Sequence, residues 1–296
     1  MIYLSHFGLR EPPFGITPDT TFFYACRSMQ ETLNTLLVAV ANGEGFIKIT
    51  GEVGTGKTLL CRKFLAALDD NWVSAYIPNP NFDPRTLLLA LAEELGFPTT
   101  SGVDQHRLMK TLNLALLDFA RKKKRVVVCL DEAQAMPIET LEMLRLITNL
   151  ETEKRKLVQV ILFGQPELDD KLRQESIRQL RQRITFEHRL GSLSFRETEH
   201  YLSHRLSVAG HVGDRVFTRS AVRKIFRASH GVPRLINILA NKAMMLAYGR
   251  GVRQVDLSSA RAAAVDTPAA YGWAPIWIWL ALLCVAGSGL GWMLLR

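Results

Sequence analysis

Residues 51–58, Gly51-Glu52-Val53-Gly54-Thr55-Gly56-Lys57-Thr58, satisfy every fixed position of the pattern G-x-x-x-x-G-K-[ST]. They follow a short apolar stretch, Phe46-Ile47-Lys48-Ile49, and lead into Leu59-Leu60-Cys61-Arg62-Lys63-Phe64-Leu65, which reads as a helix. A strand, a glycine loop and a helix N-terminus in that order aim backbone N–H groups and a positive dipole end at one point, which suits an anion. Glycines let the backbone approach phosphate oxygens with no Cβ in the way. The eight residues therefore bind a nucleoside triphosphate, with Lys57 reaching the β- and γ-phosphates and the Thr58 hydroxyl a ligand of Mg²⁺.

The surrounding pattern is α/β. Ser28–Ala41 reads as a helix, and short apolar strands at Phe46–Ile49, Val73–Ile77, Val126–Leu130 and Val158–Phe163 alternate with helices near 84–95, 106–122 and 138–150. Such alternation implies a parallel sheet with helices on both faces. From about Gly191 strand patterns cease. Arg196–Ala209, Ser220–Ala228, Pro233–Tyr248 and Gln254–Ala264 read as helices. The expected organisation is a nucleotide-binding domain at 1–190, a small all-α domain at 191–265, a linker at 266–275 and a membrane segment at 276–295.

Val126–Leu130 runs into Asp131-Glu132. About 70 residues after a phosphate loop, that pair places Asp131 to hold Mg²⁺ and Glu132 to polarise the attacking water. Gln165, just past the strand Val158–Phe163, is a candidate sensor of the γ-phosphate, and Asn79 a candidate to orient Glu132. Arg178, Arg181 and Arg183 cannot all pack inside, and one of them acting on a neighbouring copy's γ-phosphate would stabilise transition-state charge. Arg234, opening a helix after Gly231-Val232-Pro233, is placed to report the nucleotide state.

The net charge of +9 over 296 residues allows anionic partners. The dense block Arg121–Arg125 falls at a helix end, where cations complement the dipole. Cys26, Cys61, Cys129 and Cys284 show neither metal nor disulfide spacing, and His200 and His204 lack the glutamate of a zinc motif. Met1–Phe14 has no signal-peptide pattern. In contrast, 276–295 carries no charge and has the roughly 20 residues needed to cross a bilayer, with Trp273, Trp277, Trp279 and Trp292 toward its two ends. All but one of the 37 lysines and arginines precede it. With ATP and Mg²⁺ cytoplasmic, the bulk of the chain is expected on the cytoplasmic side of a membrane. Gly287 and Gly291 form a small-xxx-small pair suited to close helix packing.

The full set of motifs resembles an AAA+ ATPase with a helical lid. At closer range, His6-Phe-Gly-Leu, Pro13-Phe14-Gly-Ile-Thr-Pro18-Asp19, Phe23-Tyr24, Asp131-Glu-Ala-Gln134, Gly164-Gln-Pro-Glu-Leu168, Leu180-Arg-Gln-Arg183 and Gly231-Val-Pro-Arg-Leu-Ile-Asn237 resemble the ExeA/GspA secretion ATPases. Within that family they are most similar to the MshM-type branch, associated with a mannose-sensitive haemagglutinin (MSHA) type IV pilus. The resemblance implies ATP and Mg²⁺ as cofactors, nucleotide-dependent self-association and ATP hydrolysis. It further implies work with pilus or type II secretion assembly proteins at the bacterial inner membrane, and a cradle for adenine within Phe14–Tyr24. A DNA-binding regulator of transposition type is the alternative. The apolar segment argues against it and against nucleic acid as a partner. A non-hydrolysing scaffold is disfavoured by Asp131-Glu132.

Overall fold

The computed structural model describes residues 2–98, 104–152 and 155–270. Its chain divides into two compact units, Thr17–Ser192 and the combination of Met1–Ile16 with the residues from Leu193 onward.

In the first unit, a helix α1 (Arg27–Ala41) precedes β1 (Phe46–Gly51), α2 (Lys57–Ala66), β2 (Trp72–Ile77), α3 (Pro84–Glu94), α4 (Gln105–Arg121) and β3 (Arg125–Leu130). Then come α5 (Ile138–Ile147), a two-stranded antiparallel ribbon of β4 (Glu151–Thr152) and β5 (Arg155–Lys156), β6 (Val158–Gly164), the short α6 (Glu167–Leu172) and α7 (Arg178–Arg181), and β7 (Ile184–Leu190). The main sheet has the order β2-β3-β6-β1-β7, and every pairing is parallel.

The three inner strands are buried on both faces, as their largely apolar runs require, with Lys48 of β1 paired to Asp169 and Glu187 and Gln159 of β6 donating to the Val40 carbonyl. On one face, Phe46, Val128, Val160 and Leu162 join Leu87 and Leu91 of α3, Leu112 of α4 and Leu144 of α5 in a single apolar cluster. On the other, Ile47, Ile49, Val127 and Ile161 are covered, along with Leu60 and Phe64 of α2. The sheet therefore presents the carboxyl ends of β1, β3 and β6 at a common edge, where ligands of open α/β sheets bind.

Strand β7 carries no apolar run. Its residues alternate between half-buried and exposed from Ile184 to Arg189, the pattern of an edge strand covered on one side. For this reason the sequence pattern shows four strands where the main sheet has five. The basic block is spent on the fold: Lys122 pairs with Asp118 at 2.7 Å, and Arg125 stacks over Trp72 while donating to the Ala41 carbonyl at 2.8 Å.

The second unit contains α8 (Phe195–Val208), α9 (Arg219–Ser229), α10 (Pro233–Gly249) and α11 (Leu257–Val265). A capping box starts α8, with Ser194 and Glu197 satisfying each other's backbone donors. Gly231, at φ +75°, lies so close to Leu193 that a Cβ would stand 2.0 Å from the Leu193 carbonyl oxygen, so only glycine fits. Helix α11 starts at Leu257 rather than at Gln254, because Asp256 caps it through the Ser259 amide and Val255 is engaged in a bridge to Phe217.

The expected domain span 1–190 needs correction at its start. Residues up to Ile16 pack with the helical unit, where Tyr3, Phe7 and Phe14 are buried. Arg205 donates to the Pro13 carbonyl, Asn237 to that of Gly15 at 3.2 Å, and the ring of Phe14 meets Phe217 edge-on. The stretch expected to cradle adenine is thus divided between the two units at Ile16/Thr17. The apolar run 276–295 and the linker after Ala270 lie outside the described residues. Among the described residues no helix is long and apolar enough to cross a membrane.

Two stability measurements follow from this packing. Leu162→Ala, emptying a fully buried position of the central strand, is expected to lower unfolding free energy by about 2–5 kcal/mol in denaturant titrations. Ser194→Ala removes one half of the capping box and is expected to cost about 1 kcal/mol.

Candidate nucleotide site

The loop between β1 and α2 turns sharply because Gly54 and Gly56 take left-handed backbone angles, φ +83° and +103°. At Gly56 a Cβ would in addition stand 2.6 Å from the Met29 methyl of α1. Thr55 closes the turn by donating to the Glu52 carbonyl at 2.8 Å. Glu52 and Val53 at the crest are exposed, whereas Lys57 is buried. The Lys57 ammonium donates to the loop's own carbonyls, Gly51 at 2.7 Å and Glu52 at 3.1 Å. No ion pair holds it among the described residues. Burial pushes its pKa below the usual lysine range, against the opposing pull of Glu132, Asp131, Glu52 and Glu167. A buried cation satisfied only by carbonyl oxygens is a receptor for an anion.

Thr58, at the second position of α2, donates to Asp131 Oδ2 at 2.6 Å and so joins the helix to the end of β3. Asp131 is buried, and that burial raises its pKa although Thr58 and the Glu132 amide both favour the carboxylate. The Tyr76 hydroxyl of β2 lies 3.4 Å from the same oxygen, and burial, followed by the Asp131 charge, pushes its pKa up to about 12. These hard oxygen atoms, one from a hydroxyl and one from a carboxylate, are what Mg²⁺ binds alongside phosphate and water.

Glu132 adopts φ +57°, uncommon for a side chain of this size, directly after the strand. Its Oε2 accepts from the Gln134 amide at 2.6 Å and from the Gln165 amide at 3.0 Å. Gln134 in turn accepts from the Gln165 backbone N–H at 3.0 Å, while Lys171 ties down the carbonyls of Gln134 and Met136, each at 2.6 Å. Burial alone would raise the Glu132 pKa. The Gln165 and Gln134 amides and the Lys57 charge outweigh it and hold the group below the usual glutamate range. Glu132 is therefore an oriented carboxylate, ionised at neutral pH.

The expectations for this site divide clearly. Gly51 to Thr58, Asp131, Glu132 and Gln165 come together in one unit. Asn79 is exposed, and the two glutamines orient Glu132 in its place. In the sequence Gln134 is only the last residue of the motif Asp131-Glu-Ala-Gln134, and its position two residues after Glu132 is the signal that points to this role. Arg178 is exposed and pairs with Glu175 at 3.1 Å. Arg181 faces a cavity of about 710 Å³ together with Lys48, Asp169 and Glu187, and Arg183 is half-buried. None of the three hydrogen-bonds to the loop, Asp131 or Glu132 among the described residues. The arginine that approaches the loop is Arg189 of β7, 3.4 Å from Glu52. Arg234 is exposed at the second position of α10 in the helical unit.

Replacing Gln134 by leucine removes one amide donor from Glu132, which raises the pKa of that carboxyl. The acidic limb of nucleotide hydrolysis is then expected to move to higher pH. A limb that stays in place would show that Glu132 does not set it.

The AAA domain family model matches residues 40–172, which hold the loop, Asp131-Glu132 and Gln165. General secretion pathway protein A of Aeromonas hydrophila is 42% identical over 254 residues, 86% of this chain and 46% of that protein. The chain thus spans about half the length of this relative. Among solved structures, the ORC2 protein of Aeropyrum pernix, determined with ADPNP and ADP, superposes with a TM-score of 0.61 at 18% identity, covering 84% of this chain and 72% of its own. The RuvB branch migration motor of Thermotoga maritima gives 0.53 at 16% identity, covering 79% and 67%. These two likenesses concern the fold. By its AAA domain and its sequence, the chain is an AAA+ ATPase related to general secretion pathway protein A.

Proposed function

We propose that this chain is anchored in the bacterial inner membrane by residues 276–295. There it binds ATP with Mg²⁺ on the cytoplasmic side and hydrolyses it to support assembly or localisation of a type II secretion machine or an MSHA-like type IV pilus. The observation that carries the nucleotide part is the buried Lys57 ammonium, held only by loop carbonyls beside an oriented, ionised Glu132. The residues fit the group. Triphosphate oxygens would take over the donors of Lys57, and Mg²⁺ would lie at Thr58 and Asp131, where it neutralises phosphate charge. Glu132, fixed by Gln134 and Gln165, orients a water and accepts its proton. The depressed pKa keeps it a base at neutral pH.

A copy of the chain beside this one would supply an arginine to the γ-phosphate. Arg178, Arg181 and Arg183 are the candidates, because they lie close together in the chain between α6 and β7, Arg178 and Arg181 exposed and Arg183 half-buried, with no hydrogen bond to their own loop among the described residues. Arg234 of the helical unit is the candidate reporter of nucleotide state. The relative's place in the general secretion pathway and the apolar run 276–295 support secretion or pilus assembly proteins, a lipid bilayer and further copies of the chain as partners.

Glu132→Gln is expected to retain ATP binding while turnover falls at least about 100-fold, and Lys57→Ala to lose binding. Turnover equal to the wild type in Glu132→Gln would sink the assigned role of Glu132. Copies of Glu132→Gln loaded with ATP and recovered from membranes should bring secretion or pilus assembly proteins. Recovery of DNA in their place would favour a regulator acting on nucleic acid.

A further inference from the structure

The helical unit ties down its chain as far as Thr267, three residues before the last described one. Asp266, just past α11, pairs with Lys242 of α10 at 2.8 Å and also accepts from it through its carbonyl, and the buried Thr267 donates to the Ala263 carbonyl at 2.8 Å. Only residues 271–275 then separate Ala270 from the apolar run 276–295. Even fully extended, that stretch reaches about 20 Å. A unit of this size is roughly 30 Å across. If the run lies in a bilayer, the tether is too short for the unit to turn its far side to the lipid.

The surface around this exit differs from an ordinary solvated helix pair. Met245 and Leu246 stand three and four residues after Lys242, on the same face of α10, and are 55% and 37% exposed. On α11, Val265 is 66% exposed and shares its face with Arg261 four residues earlier. Apolar tips beside the Arg261 guanidinium suit a headgroup layer, where aliphatic atoms enter the boundary and the guanidinium meets phosphates, while Lys242 lends its stem and stays paired with Asp266. Tyr271 and Trp273, in the tether, are residue types favoured at that depth.

We infer that the face of the helical unit formed by Lys242, Met245, Leu246, Arg261 and Val265 lies against the phospholipid headgroups. The inference rests on the anchoring of 276–295 proposed above. It adds an orientation: the helical unit, rather than hanging free, is held with its α10–α11 exit face toward the membrane.

The test uses the full chain with Cys284→Ala, so that the remaining cysteines, Cys26, Cys61 and Cys129, are buried and unreactive. Single cysteines at Met245, Val265, Val212 and Ser288 carry an environment-sensitive fluorophore, and the protein is reconstituted in vesicles of phosphatidylethanolamine and phosphatidylglycerol containing spin-labelled lipids. Val212 is the control. It is 90% exposed on the connection between α8 and α9, which the Phe217–Val255 bridge ties to the opposite end of α11. Headgroup-level quenching at Met245→Cys and Val265→Cys is expected to exceed that at Val212→Cys several-fold. Equal quenching at the three sites, or none at 245 and 265 while a label at Ser288→Cys is quenched by acyl-chain spin labels, would overturn the orientation and leave the anchor standing. Absence of quenching at Ser288→Cys would overturn the anchor and the orientation together.

Discussion

The hydrogen bond from Thr58 to Asp131 is the contact on which the site depends. It joins the first turn of α2 to the end of β3 across the carboxyl edge of the sheet, at 2.6 Å. Because α2 also carries Lys57 and β3 leads directly into Glu132, this one contact sets the distance between the glycine loop and the oriented Glu132 carboxylate. It spans the carboxyl end of β6, which lies between β1 and β3. The buried apolar faces of the three strands hold that order. A shift of one residue in the register of β3 would turn Asp131 to the wrong side of the sheet.

Around that contact two charges are tuned in opposite senses by one environment. Desolvation acts on Asp131 and on Glu132 alike, yet Glu132 ends below its ordinary pKa and Asp131 above it. Each carboxylate accepts hydrogen bonds and feels Lys57. The difference is that Asp131 is buried more deeply and bears the repulsion of its neighbour, so desolvation wins there and loses at Glu132. A divalent cation held at Thr58 and Asp131, as proposed, would relieve the buried Asp131, and the lowered pKa of Glu132 suits the proposed role of base. Glu132 pays for this with a left-handed backbone, held by the turn from Ala133 to Ala135 and by Lys171 clamped on the Gln134 and Met136 carbonyls.

Much of the fold could be read from the chain because its strongest signals are local. The inner strands are predominantly apolar runs and the helices show their own periodicity. Strand β7 escaped because Ile184–Leu190 alternates with Thr185, Glu187 and Arg189, as a half-exposed edge does, and so offers no run. The ribbon of β4 and β5 escaped because two-residue strands have no periodicity. At the site, Lys57, Thr58, Asp131 and Glu132 were legible from spacing. The pairing of Gln134 with Gln165 was not, since the two are 31 positions apart in the chain.

By itself, the sequence determined the chemistry of the loop. A left-handed turn, a lysine and a hydroxyl at a helix start are requirements satisfied by adjacent residues, and no distant contact is needed to recognise them. It also determined the parallel sheet, whose buried strands read as mostly apolar runs. Only the tertiary structure decided what surrounds that chemistry: that Glu132 is oriented by two glutamines and not by Asn79, that Arg189 reaches Glu52, and that the first 16 residues belong with the helices. Those outcomes depend on which side chains remain to be satisfied once the sheet has formed. That is a property of packing in three dimensions, and linear spacing does not carry it.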